Sequence, residues 1–251
     1  GVSTPVQVIP TGVYVGQFAR GDRDGARRRW RLPAHAFVVG HMGRLAEEKN
    51  IGFLADAVAA FLAGGDERYF LVVGSGDAEA DLVERFHAAG LADRLVCCGV
   101  LEGQALADAM NAMDVFAFAS RSETQGMVLT EAMAAGLPVV GLDAPGVREV
   151  VRDRKNGRLV AEGSTQGFAD ALRWIHERRA AGEDDLVVAA RETAEAFSMA
   201  RSAAAALACY RELHRRSGAE RAEQEDLWDQ VRNRIRAELE ILGSFRAAGD
   251  E

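Results

Sequence analysis

Two glutamates, Glu123 and Glu131, stand with seven residues between them on either side of the point where an apolar run gives way to a helical pattern. The run Val115 to Ala119 reads as a strand, and Met127 to Ala135 reads as a helix closed by Gly136 and followed by Pro138. Glu123 then lies in the loop at the strand's carboxyl end. Glu131 lies on the helix, about one and a half turns in, or roughly 7 Å along its axis. Between them Gly126 lets the backbone turn and come close to a ligand. The free amides of the first helical turn, reinforced by the helix dipole, form a ready anion site. Carboxylates accept hydrogen bonds well from paired sugar hydroxyls. The arrangement suits a molecule with phosphate in the middle and a sugar at each end, such as a nucleoside diphosphate sugar. Taken singly, a loop glutamate or one on an exposed helix face contributes little. The reading therefore leans on convergence with other segments.

Two such segments exist. Gly43-Arg44-Leu45-Ala46-Glu47-Glu48-Lys49-Asn50 also leaves a strand and enters a helix. Arg44 offers a planar fork and Lys49 a point charge, both suited to phosphate oxygens in the same crevice. The bland alternative is a solvated pair bridged to Glu47 and Glu48. Gly74-Ser75-Gly76 ends another strand, where a lone Gly-x-Gly fits a tight turn as well as a phosphate loop. The loop Gly99 to Gly103 lines the same rim.

Alternating elements position these residues. Strands are expected at Val6–Ile9, Phe37–Met42, Tyr69–Val73, Leu95–Cys98, Val115–Ala119 and Val139–Leu142. Helices are expected between them at Ile51–Leu62, Ala78–Ala89, Gly103–Ala112 and Met127–Ala135. Near-continuous apolar strands alternating with helices predict a doubly wound parallel α/β sheet, with ligands at the carboxyl ends of the strands. From about Ser164 onward the pattern is helical only: Phe168–Arg179, Leu186–Phe197, Ala200–Arg215 and Glu220–Phe245. Residues 1–199 are assigned to the sheet domain and 200–251 to a helical extension. The last helix carries Leu227, Trp228, Val231, Ile235, Leu239 and Leu242 as one apolar stripe that something must cover.

The net charge of -8 argues against nucleic acid as a partner, since phosphate backbones demand clustered Lys and Arg. Cys97, Cys98 and Cys209 have no disulfide or zinc spacing, and Cys97 and Cys98 read as buried, reduced residues on opposite faces of a strand. No His/Asp metal cluster stands out. No run approaches the roughly 20 apolar residues of a membrane span, and Gly1 to Pro5 is no signal peptide. A cytoplasmic protein is expected, with peripheral contact at the inner face of the membrane left open.

The segments Val8-Ile9-Pro10-Thr11-Gly12-Val13, Gly43-Arg44-Leu45 to Lys49 and Val72-Val73-Gly74-Ser75-Gly76 come first in order. Ala112-Met113-Asp114-Val115-Phe116, Ser120 to Val140 and Asn156-Gly157-Arg158-Leu159-Val160 follow. In order and spacing they resemble the retaining GT-B glycosyltransferases, the class that includes bacterial glycosyl transferases group 1. The resemblance covers roughly residues 6 to 215. It implies a Rossmann-like half of a GT-B fold that binds the donor, with Arg44 and Lys49 neutralising its diphosphate. It places Glu123, the catalytic candidate, near the donor sugar's hydroxyls. The amides of Thr124, Gln125, Gly126, Met127 and Val128 would meet sugar and phosphate, and Glu131 would hold the ribose. The Gly74 and Gly76 turn and the rim Cys98 to Leu101 would meet the nucleotide. It implies no cofactor and no metal, the two cations doing the work of magnesium.

The same resemblance implies a partner domain of about 150–200 residues that holds the acceptor. Without it this chain is expected to be inactive in transfer of a hexose from a UDP-sugar. Two other readings stand beside this one. One is a nucleotide-sugar epimerase or phosphorylase of the same fold, since fold does not fix function. The other is a stand-alone nucleotide-binding module, dimeric through the helix at 220–245, whose mixed charges favour protein contact over a membrane surface.

Overall fold

The computed structural model describes residues 6–247 except Ser122, Thr124 and Glu162, and describes the backbone alone over 217–226, 235 and 237–247. The chain divides into two compact units, Gly1–Ser202 and Ala203–Glu251.

The first unit opens with two short helices, α1 (Val15–Phe18) and α2 (Arg23–Arg29), the latter capped by Asp22, whose carboxylate accepts from the Gly25 amide. Then strand and helix alternate: β1 (Phe37–Met42), α3 (Ile51–Leu62), β2 (Arg68–Val73), α4 (Glu79–Ala88), β3 (Leu95–Cys97), α5 (Gly103–Ala112) and β4 (Val115–Phe118). They continue through α6 (Met127–Ala134), β5 (Val139–Leu142), α7 (Val147–Val150), β6 (Gly157–Val160), α8 (Thr165–Ala180) and α9 (Asp185–Ala196). All strand pairs are parallel, in the order β3-β2-β1-β4-β5-β6. The order reverses between β1 and β4, which opens a crevice at their carboxyl ends. Strands β1, β4 and β5 bury both faces. Val39, Val115 and Val140 pack with α3 and α8, while Val38, Phe116 and Val139 pack with α5, α6 and α9. A sheet covered on both sides explains why these strands read as near-continuous apolar runs.

Val6 to Ile9 forms no strand, and Val6 and Val8 are exposed. The chain is instead tied down at Val13, which bridges Ser198 and exchanges backbone hydrogen bonds with Phe197 and Met199. The sequence reading passes over β6, a four-residue edge strand. It also passes over α1, α2 and α7, which are too short to show a period. Cys97 is exposed rather than buried, because β3 is an edge strand. Cys98 packs against the opposite core, and burial pushes its thiol up to about 12.

The helices expected at Ala200–Arg215 and Glu220–Phe245 are one helix, α10 (Met199–Ala247). The only breaker between them is Gly218, and a lone glycine costs a helix about 1 kcal/mol, too little to stop strong helix formers on both sides. In the second unit Leu207, Tyr210, Leu213, Leu227, Trp228 and Val231 are exposed. The other stripe residues, Ile235, Leu239 and Leu242, have side chains outside the described residues. Among the described residues no helix is long and apolar enough to cross a membrane.

Gly74 packs the ends of β1 and β2 together. Its φ is +126°, and a Cβ there would lie 1.9 Å from the Gly43 carbonyl oxygen. Gly74→Ala must therefore push two site loops apart. A loss of about 1–3 kcal/mol is expected for such a forced contact, read by urea denaturation.

Candidate functional site

The crevice is built by two strand-to-helix turns facing each other across the switch point. From β1 the chain turns at Gly43 and runs through Arg44 into a short turn of helix over Glu47–Lys49. Asn50 follows in the left-handed conformation, φ +57°, which asparagine tolerates better than most residues, and α3 then begins. From β4 the chain leaves through Ala119 to Gln125, turns at Gly126 with φ +57°, and enters α6.

Lys49 and Glu123 meet across this gap. Lys49 Nζ donates to Glu123 Oε1 at 2.5 Å, and both side chains are largely buried. The turn after β1 and the turn after β4 are thus joined by the two residues expected to act on a ligand. Arg44 behaves differently: its exposed side chain pairs with Glu48, four residues on. The solvated alternative holds for Arg44 and fails for Lys49. Arg44 nonetheless lines a cleft of about 350 Å³ with Met42, Gly43, Val73, Gly74, Ser75, Val100 and Leu101, at the ends of β1, β2 and β3. Two rim residues expected to meet a base, Val100 and Leu101, are in that lining. Gly76 is not; a Cβ there would lie 2.3 Å from the Leu45 carbonyl oxygen, so this position serves close packing of the two turns.

At the start of α6 the amides of Met127 and Val128 have no backbone acceptor among the described residues. Leu129 is the first to donate, to the Gly126 carbonyl. Among the described residues no side chain caps this helix, which leaves the first amides of its positive end available at the turn after β4. The Gln125 side chain reaches the Thr11 carbonyl at 3.4 Å and holds the loop to the start of the chain. Thr124 lies outside the described residues.

Glu131 sits half-buried in α6. Its carboxylate has no hydrogen-bond or ion-pair partner among the described residues, and burial pushes its pKa above the ordinary carboxylate range. A desolvated carboxylate left without a partner is costly in an empty protein and useful for a ligand's hydroxyls.

The sequence reading misses one polar group here. His41, next to last in β1, is 1% exposed and donates from Nδ1 to the Ala117 carbonyl at 3.0 Å. The available signal was an ionisable residue inside an apolar strand.

A parallel sheet ordered 3-2-1-4-5-6 is a Rossmann-like doubly wound fold, and the turns at its switch point bring Lys49 and Glu123 together beside the start of α6. The chain belongs to the glycosyl transferases group 1 family, whose profile matches residues 36–178, more than half of it. It is 34% identical over 212 residues to a D-inositol 3-phosphate glycosyltransferase of Geodermatophilus obscurus, covering 81% of this chain and 46% of that protein. It is 34% identical over 171 residues to a GDP-mannose-dependent alpha-mannosyltransferase of Mycobacterium tuberculosis, covering 67% of this chain and 42% of that one. The chain spans about half the length of these curated relatives. Among solved structures, Anabaena HepE in complex with UDP superposes with a TM-score of 0.75 at 26% identity, over 82% of this chain and 57% of that one.

Proposed function

We propose that this chain is the donor-binding part of a retaining glycosyltransferase that takes a hexose from a nucleoside diphosphate sugar, with UDP as the favoured nucleotide. The observation that carries the reading is the Lys49–Glu123 pair bridging the switch point at 2.5 Å; the half-buried Glu131 on α6, with no protein partner among the described residues, adds to it. Lys49 and the amides of Met127 and Val128 face the diphosphate, and Arg44 joins them after leaving Glu48. Cations and helix dipole together offset its charge without a metal. Glu131 accepts from the ribose hydroxyls. The base enters the cleft of Val73, Val100 and Leu101. Glu123 releases Lys49 and accepts from hydroxyls of the donor sugar. UDP in the solved HepE complex and the GDP-mannose dependence named for the mycobacterial relative both support a nucleoside diphosphate sugar as ligand. The acceptor is held by a further domain, as the greater length of the relatives suggests.

Calorimetric titration with UDP, GDP and ADP and their hexose conjugates tests the reading. Saturable binding of at least one pair is expected, and heat from none of them overturns the proposal. Glu123→Gln is expected to weaken a nucleotide sugar more than the bare diphosphate. Removal of one hydrogen bond to a charged group corresponds to about 1.5–3 kcal/mol for the sugar conjugate. Equal losses for both ligands would reassign Glu123.

A further inference from the structure

His41 stands in β1 among apolar residues and glycine, fully shielded from water. Its Nδ1 lies 3.0 Å from the Ala117 carbonyl oxygen, which can only accept. Nδ1 therefore carries the proton, and Nε2 is left as a bare lone pair. Burial, the largest cause, holds the ring's pKa down to about 4, with the Lys49 charge pushing the same way, so the imidazole is neutral at ordinary pH. Nε2 is completely buried and has no hydrogen-bond partner among the described residues. Most buried acceptors are paired, and an orphan costs free energy.

The position of this nitrogen suggests its use. A Cβ built at Gly43 would lie 3.7 Å from Nε2, so the lone pair sits at the carboxyl end of β1, where the chain turns toward Lys49. The ring's hydrogen bond to Ala117 and the Lys49 bond to Glu123 span the same gap, one on β4 and one on the turn just beyond it. The Lys49 ammonium has three N–H groups, and among the described residues one of them is engaged, by Glu123. Ring packing alone does not account for the residue. His41 stacks on Phe116 and Phe118 at centroid distances of 6.2 and 6.4 Å, a role phenylalanine would fill without an unpaired acceptor.

We propose that His41 is a positioning residue for Lys49. When the sugar hydroxyls of a bound donor draw Glu123 away, Nε2 accepts an N–H from Lys49 and keeps the ammonium facing the diphosphate. The inference rests on the donor-binding reading for its ligand, but not for the contact itself. A neutral acceptor is well suited here, because it holds the cation after the carboxylate has left without competing with phosphate for its charge.

Nitrogen NMR of the full chain with labelled histidine separates the two claims. Glu123→Ala opens the ion pair with no ligand present. In that variant the His41 Nε2 resonance is expected to move from the bare to the hydrogen-bonded position, and to return when Lys49→Met is added. An Nε2 resonance that stays bare in Glu123→Ala overturns the inference, whatever the nucleotides do. In the binding assay, His41→Phe is expected to weaken a UDP-hexose about tenfold, the loss of one hydrogen bond to a charged group, with affinity for bare UDP and melting temperature unchanged. Undiminished UDP-hexose affinity, or equal losses for UDP-hexose and bare UDP, would reduce His41 to a packing residue. Absence of binding of every nucleotide and nucleotide sugar by the unaltered chain would sink the donor reading instead, leaving the Glu123→Ala resonance to decide this one.

Discussion

Asp114→Ala is expected to destabilise the chain by about 3–5 kcal/mol, the cost of leaving a buried cation without its partner. Asp114 lies at the start of β4, at the end of the sheet opposite the crevice. Its carboxylate accepts from Arg27 at 2.8 Å, from Arg23 at 2.5 Å and from the Val38 amide at 2.8 Å. Arg27 is itself buried and donates to the carbonyls of Pro33, Ala34, Ala36 and Ala112. Burial lowers its pKa, and Asp114 works against that shift. One carboxylate thus ties α2 and the loop after it to the first residues of β1 and β4. Alanine would strand the guanidinium in a site that water does not reach. Chemical denaturation measures the loss, and a change under about 1 kcal/mol, the range of an exposed ion pair, would show that the network relaxes into solvent. Nucleotide affinity below the melting point should be unaffected, because the site is at the other end of the strands.

Glu131→Ala is expected to separate stability from binding. Loss of a carboxylate that accepts from ribose hydroxyls costs about 1–3 kcal/mol of nucleotide affinity. Stability should not fall with it. The side chain has no protein partner among the described residues, and burial raises its pKa, so ionising it in the folded chain is unfavourable. The sign follows from proton linkage. With its pKa raised on folding, the group holds its proton to higher pH when folded than when unfolded. Stability is then lost as pH rises through that window, just above the ordinary glutamate range. At neutral pH Glu131→Gln should be as stable as the parent or more so. Binding runs the other way: affinity for UDP should fall on acidification at a pH above the ordinary glutamate range. That midpoint should vanish in Glu131→Gln. A variant that loses stability and affinity together would show that Glu131 serves the fold.

Much of this molecule is legible in its sequence because the central strands are buried on both faces. Phe37–Met42, interrupted only by His41, and Val139–Leu142 are apolar runs whose bounds follow from composition. The helices Ile51–Leu62 and Gly103–Ala112 end where the apolar period ends. Illegible parts lack that signature. β6 is short and at an edge, and α2 buries Arg27, a residue that reads as exposed. Asp114 appears as an ordinary polar residue ahead of a strand, since its partner Arg27 is 87 residues away. In the site, Glu123 and Lys49 could be named from type and spacing, but their pairing across the sheet required the strand order. Arg44 could not be separated from Lys49 in sequence. Only Glu48, one helical turn away, draws it outward. His41 escaped because its meaning lies in an unpaired nitrogen, which depends on the Ala117 carbonyl of another strand.

A crystal structure of the chain with UDP would probe the account at its centre. The diphosphate should lie between Lys49 and the first amides of α6, with the ribose hydroxyls on the Glu131 carboxylate and the uracil in the cleft beside Val100. UDP seated away from the gap between β1 and β4, or a ribose turned from Glu131, would contradict it.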